Sequence, residues 1–214
     1  NMEPLGNWEI TAPALSTPTT NTNIVLDENA PSLPLNFQWE PATTSNRFVV
    51  AYRFVLVEAS ATDLSNPVLE IVPSSSGRDR FVNLTADQLD YALWARCYGP
   101  GESVSLKWAV VAKSIEKEAQ ASNPITVKRF ETDRVVETMF ITGAGAEAGA
   151  DVSNAAAMRA RTNADNELTG VFDVYTTLTK GQPFMFRDRA NAFSKIFGGS
   201  AGNIEECGTP VVAP

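Results

Sequence analysis

The chain has 214 residues, a net charge of −8 and no histidine. Phosphate neutralisation needs the opposite charge balance, which excludes nucleic acid and anionic membrane surfaces as partners. Without imidazole there is no Ser-His-Asp or Cys-His catalysis, no His-ligated zinc and no histidine acid–base step. Apolar residues at 43% and charged residues at 20% suffice for one large or two small packed domains.

The chain opens on Asn1-Met2-Glu3-Pro4 and shows no signal peptide, lipidation motif or long apolar run. That pattern fits a soluble protein or a mature segment whose export signal has been removed. Period-two alternation then begins. Leu33, Leu35, Phe37 and Trp39 alternate with Pro34, Asn36, Gln38 and Glu40. Val50, Tyr52, Phe54 and Leu56 share one face, with Arg53 on the other. Val104, Leu106, Trp108, Val110 and Ala112 repeat the pattern. Strands of this kind bury one face and wet the other, and the turn clusters Pro41–Asn46, Ser74–Gly77 and Gly99–Gly101 separate them. The expected fold class is mostly β: an immunoglobulin- or fibronectin-like sandwich with one short helix, then a second β-sandwich module.

The helix is expected from Thr85 to Cys97, with Thr85 and Gln88 as a capping box and Gly99-Pro100 as the stop. Leu89, Ala92, Leu93 and Cys97 fall on one face, which makes Cys97 core filling. Cys97 and Cys207 show no framework spacing. One buried thiol and one exposed thiol are expected, with a single bridge as the alternative. Trp39 and Trp108 take the apolar parity of their strands, leaving Trp8 and Trp94 as the candidates for exposed stacking, Trp94 at the helix edge.

Ser122–Arg129 reads as the last strand of the first domain, and the junction falls near residues 128–134. The expected domains are therefore 1–130 and 131–214. Val135–Thr142 opens the second domain as a strand, and Gly143–Ala150 reads as a loop that fits neither dinucleotide nor P-loop spacing. Phe172 and Val174 face one way and Asp173 and Tyr175 the other. Lys180-Gly181 is placed as the turn to a strand in which Phe184 and Phe186 flank Met185. Asn163, Asp165, Asn166 and Glu167 lack the terminal bidentate glutamate of a calcium loop and read as a turn.

In their order, these segments resemble the SusE-type outer-membrane glycan-binding lipoproteins. The resemblance rests on Leu35-Asn-Phe-Gln-Trp39, Tyr52-Arg-Phe-Val-Leu56, the threonine-capped helix and Leu106-Lys-Trp-Ala-Val110. In the second domain it rests on Met139-Phe-Ile-Thr-Gly143, Ala157-Met158, Val171-Phe-Asp-Val174, Lys180-Gly181 and Phe184-Met-Phe186. It implies a SusE-like immunoglobulin-type spacer over 1–130 and a carbohydrate-binding-like module over 131–214. It also implies a cell-surface protein of the outer membrane, lipid-anchored through an upstream residue. The implied role is non-catalytic capture of a polysaccharide, glucan-type, without cofactor or metal. The alternative is a structural module contacting an outer-membrane transporter complex.

Two positions depart from the family. Ala150 stands where a Gly-Trp-Asp tryptophan is common, and Met185 where a lysine is common between the phenylalanines. Gly208–Pro214 falls where a closing strand is expected, so that strand is expected to be missing. Tyr175, Arg159 and Arg187, with Arg161 and Asn191, are the candidate carbohydrate-binding residues. The other reading of this set is a charged, solvated sheet face.

Overall fold

A computed structural model describes residues 7–214; Asn1-Met2-Glu3-Pro4 lies outside them. The protein is mostly β and divides into two compact units. The first holds the chain through Tyr91 together with Pro100–Thr132, and the second holds Ala92–Gly99 with Asp133–Pro214.

Two sheets build the first unit. One contains β1 (Ala14–Thr17), β3 (Pro34–Glu40) and β6 (Phe81–Thr85), in the order β1-β3-β6. The other contains β2 (Thr22–Val25), β4 (Ala51–Glu58), β5 (Leu69–Ile71), β7 (Ser103–Ser114) and β8 (Lys117–Lys128), in the order β2-β8-β7-β4-β5. β2 runs parallel to β8, and the other ladders of this unit are antiparallel.

Alternation along β3 turns Phe37 and Trp39 inward and leaves Asn36, Gln38 and Glu40 exposed. Their rings meet aromatic side chains of the opposite sheet. Phe37 lies 5.0 Å from Phe54 and 5.5 Å from Trp108, both edge-on, and Trp39 lies 5.7 Å from Tyr52. Phe54 and Trp108 stack at 6.3 Å. Each contact adds about 0.5–1.5 kcal/mol to the burial of its rings. The indole N–H groups of Trp39 and Trp108 are buried without an acceptor, which offsets part of that gain.

The expected wet face of the larger sheet is partly dry. Val55, Val57, Ala109 and Val111 form a second buried cluster on it, packed against Ala61 and Leu64. Lys107 holds the covering loop by donating from Nζ to the Ala61 carbonyl at 2.6 Å. Arg53 remains partly exposed and pairs with Glu70 at 2.8 Å.

The helix runs Ala86–Ala95. Its capping box forms as expected: the Thr85 backbone N–H donates to Gln88 Oε1 at 2.9 Å, and the Gln88 N–H donates to Thr85 Oγ1 at 3.1 Å. The helix ends before Cys97, which takes a left-handed φ of 68°. The N–H groups of Cys97 and Tyr98 turn back to the Trp94 and Leu93 carbonyls, so the chain leaves the helix before Gly99.

Helix residue Asp90 is fully buried and accepts from Arg129 Nε at 2.9 Å and Nη2 at 3.2 Å, and from the Phe130 N–H at 3.1 Å. Arg129 is 1% exposed. Neither charge could stay in this interior alone; together, with a forked guanidinium on one carboxylate, they are neutralised where they sit.

In the second unit β9 (Phe140–Thr142), β10 (Ala156–Ala157), β13 (Pro183–Arg187), β14 (Ile196–Ser200) and β15 (Asn203–Glu206) form a sheet in the order β10-β9-β13-β14-β15. β16 (Val211–Val212) adds to β13, so the tail from Gly208 supplies a strand of its own. β11 (Arg159–Thr162) and β12 (Leu168–Asp173) form a separate two-stranded ribbon. The core is small: Ile141, Ala146, Phe184, Val211 and Ala213 are buried, with Ala156, Val174 and Phe186 packed against them.

Three local expectations need correction here. Of Val135–Thr142, only the last three residues pair. β12 pairs with β11 rather than through Lys180-Gly181 with β13; Gly181, at φ 74°, turns the chain between β12 and β13 without joining them as a hairpin. Cys97 and Cys207 are both exposed and form a disulfide with Cα atoms 6.4 Å apart. Cys97 is therefore not core filling. The left-handed turn swings it off the apolar helix face. Closing a loop over a sequence separation of 110 removes unfolded-chain entropy worth on the order of 4–5 kcal/mol in the chain-entropy description.

Trp108→Ala should lower stability by about 3–5 kcal/mol, and Trp108→Phe by much less, because it refills most of the space and removes the unsatisfied N–H. Denaturant unfolding checks both; equal losses would contradict the packing argument. Asp90→Ala should cost about 3–5 kcal/mol by removing the carboxylate that Nε and Nη2 of buried Arg129 both reach, whereas replacing both partners with apolar residues should cost far less. The same unfolding curves decide it.

Candidate functional site

The β11–β12 ribbon is built by its turn. Asn163 Oδ1 accepts from the N–H groups of Asp165 and Glu167, both at 2.9 Å, and its Nδ2 donates to Glu167 Oε2 at 2.9 Å. Asn166 supplies the left-handed residue, φ 62°. The polar run thus forms the turn expected of it. Register places Arg159 opposite Asp173 and Ala160 opposite Phe172.

A groove of about 720 Å³ opens along this ribbon, lined by Arg159, Arg161, Thr162, Asp173, Val174 and Tyr175, with the small side chains of Ala157 and Ala160. Arg161 and Asp173 form a two-pronged pair, Nε to Oδ2 at 2.5 Å and Nη2 to Oδ1 at 3.0 Å. The hydrogen bonds from Arg161 hold the Asp173 carboxyl below its ordinary range, and the charges of Arg161 and Arg159 add to this. The same bonds push the Arg161 guanidinium up. Tyr175 stands fully in solvent, with a relative exposure of 102%. Among the described residues, Phe81 is the other aromatic side chain classed as exposed, at 46%.

The structure therefore brings Tyr175 and Arg159 together, with Arg161 beside them. It does not bring Arg187 or Asn191 to the groove. Arg187 is half-buried on β13 and donates from Nη1 to Ser194 Oγ at 3.0 Å, while Asn191 Oδ1 accepts from the Phe193 N–H. Strand parity gave Arg187 the same face as Tyr175, but β12 ends at Asp173 and does not pair with β13, so parity does not carry from one strand to the other.

The tryptophans offered for stacking are both buried, at 2% exposure. Trp8 packs edge-on to Phe48 at 5.2 Å, and Lys117, which also donates to the Trp8 carbonyl, lies over the ring. Trp94 carries the ammonium of Lys195 4.1 Å above its ring. Lys195 is itself 2% exposed and is neutralised by Glu206, while its N–H donates to Asp188 Oδ1 at 2.7 Å. Sequence reasoning missed this buried cation. An isolated lysine before Ile196-Phe197 gives no sign that a ring and a carboxylate will enclose it.

At the two departing positions, Ala150 is exposed and Met185 is half-buried in β13 opposite Thr142. Neither lines the groove. Asp151 caps the turn Val152–Asn154 by accepting from the Ser153 N–H at 2.9 Å and Oγ at 2.7 Å. Among the described residues no helix is long and apolar enough to cross a membrane, and no three histidine, cysteine, aspartate or glutamate side chains gather as a metal site.

The chain is thus a mostly β protein with an open polar groove on its second unit. The family model described as "SusE outer membrane protein" matches residues 2–111, so the chain belongs to the SusE outer membrane protein family. The match ends within β7, and the groove lies beyond it. No curated protein matches this chain.

Protonating Asp173 removes the negative charge that both Arg161 bonds draw on and turns one carboxyl oxygen into a donor. Because its folded value is depressed, the pairing stabilises the ribbon fully above the ordinary aspartate value and is lost as pH falls through the folded value. A carboxyl-carbon NMR titration should place the Asp173 midpoint below about 3.9, and Arg161→Ala should raise it. A parent midpoint at or above that value would contradict the pairing.

Proposed function

We propose that this protein captures polysaccharide at the outer-membrane cell surface for a glycan-uptake system, without catalysis. The first unit serves as a spacer and the second presents the sugar-binding groove, with Tyr175 as stacking platform and Arg159 as hydrogen-bond donor. The observation that carries this is the fully exposed Tyr175 ring at a polar groove, where every tryptophan is buried. A pyranose offers one apolar face for a ring and hydroxyls for a guanidinium fork. What supports a ligand here is the ring's place beside the polar lining of the groove, Arg159 included, and not its exposure alone. The exposed disulfide suits an oxidising, extracytoplasmic site, and attachment through a lipid upstream of this chain completes the reading.

Neutral α-glucans should bind weakly. At the family's usual position, away from the groove, Ala150 supplies no ring and Met185 no donor, so one stacking contact and one charged hydrogen bond to a glucan are missing there, together about 2 kcal/mol or more. That moves affinity by more than tenfold. Affinity electrophoresis on gels carrying different polysaccharides is the test. At least one should retard the protein, Tyr175→Ala should abolish the shift, and maltoheptaose should give no sub-millimolar heat by calorimetry. Retardation by none, or retardation untouched by Tyr175→Ala, would overturn the groove as the binding site.

A further inference from the structure

Charge in the groove is unbalanced. Two guanidinium groups, Arg159 and Arg161, face one carboxylate, Asp173. Asp173 is committed to Arg161 through two hydrogen bonds. Arg159, exposed and directly across the ladder from Asp173, makes no side-chain hydrogen bond or ion pair among the described residues. The groove therefore holds one positive charge with its donors unused, on a protein whose net charge is −8. At physiological salt, charges beyond about 8 Å are screened, so the distant acidic surface does not cancel a guanidinium at the contact.

Resting on the groove as a sugar site, we infer that its ligand is an acidic saccharide, a glycan whose pyranose carries a carboxylate. The planar fork of Arg159 matches a carboxylate with two parallel N–H···O bonds, a geometry that a neutral hydroxyl pair fills less well. Tyr175 lies in the same groove to stack on the apolar face of the sugar. Arg161 cannot serve as the anion donor in the same way, because its Nε and Nη2 are already spent on Asp173. Asp173 in turn repels a second carboxylate and confines the anion to the Arg159 side.

The test uses the whole chain with an oligogalacturonide and its methyl ester, two probes with the same backbone that differ in charge. By calorimetry, the acid should bind at least about tenfold more tightly than the ester. Raising the salt concentration should weaken the acid and leave the ester unchanged. Arg159→Ala should abolish the preference, Arg159→Lys should restore part of it, and Tyr175→Ala should weaken both probes. Both positions are exposed, so an unchanged unfolding midpoint verifies the fold of each variant. Equal binding of acid and ester, or a preference that survives Arg159→Ala, would overturn the acidic-ligand assignment and leave the groove a sugar site. Binding of neither probe at millimolar concentration, with no chemical-shift change at Tyr175, would overturn both.

Discussion

A full charge placed in a protein interior has to be neutralised on the spot, and both units are organised around that constraint. In the first, Asp90 and Arg129 are buried together, and the Phe130 N–H also donates to the carboxylate. The helix that carries Asp90 and the chain leaving β8 thereby share one geometry, since any other would leave a bare charge. In the second, Lys195 lies under Trp94 and against Glu206, with Asp188 holding its backbone. Each arrangement is costly to disturb from one side and cheap to replace as a whole, which makes it a specifier of geometry more than a source of net stability.

The groove follows the opposite rule. Its charges are exposed, where an ion pair contributes little to stability, and among the described residues the Arg159 guanidinium makes no hydrogen bond or close ion pair. Surface charge of this kind is available to a ligand because the fold does not need it. The same holds for Tyr175. The buried rings Phe37, Trp39, Phe54 and Trp108 hold two sheets together, whereas this ring touches solvent. The family match, residues 2–111, takes in the aromatic core residues of the first unit, and the groove belongs to the other unit.

Second-unit architecture shows how the groove is kept open. The ribbon pairs only with itself, through a turn pinned by Asn163, and both strands carry mostly exposed side chains. Close backbone approaches occupy the neighbouring sheet instead. A Cβ on Gly143 would lie 2.6 Å from the Phe184 Cα, so β9 and the start of β13 can meet there only through glycine. The sheet is tight where it bears the core, and the separate ribbon that lines the groove carries mostly exposed side chains.

What could be read in the residues was whatever depends on near neighbours in the chain. The parity of Phe37, Trp39, Phe54 and Trp108 gave the inward faces, because side-chain direction alternates along any extended strand. The Thr85–Gln88 capping box gave the helix start, because both bonds close within one turn. Strands with weak periodicity stayed hidden: the start of β8, Lys117-Glu-Ala-Gln-Ala121, has alanine as its only apolar residue and gains its place from its ladder with β7. Tertiary structure alone decided the rest. It paired Cys97 with Cys207, enclosed Trp8 and Trp94, drew Arg187 to Ser194 and left Arg159 with Tyr175 in one groove. These outcomes join residues distant in sequence, and their energies depend on what each group meets after folding, which no local pattern of residues contains.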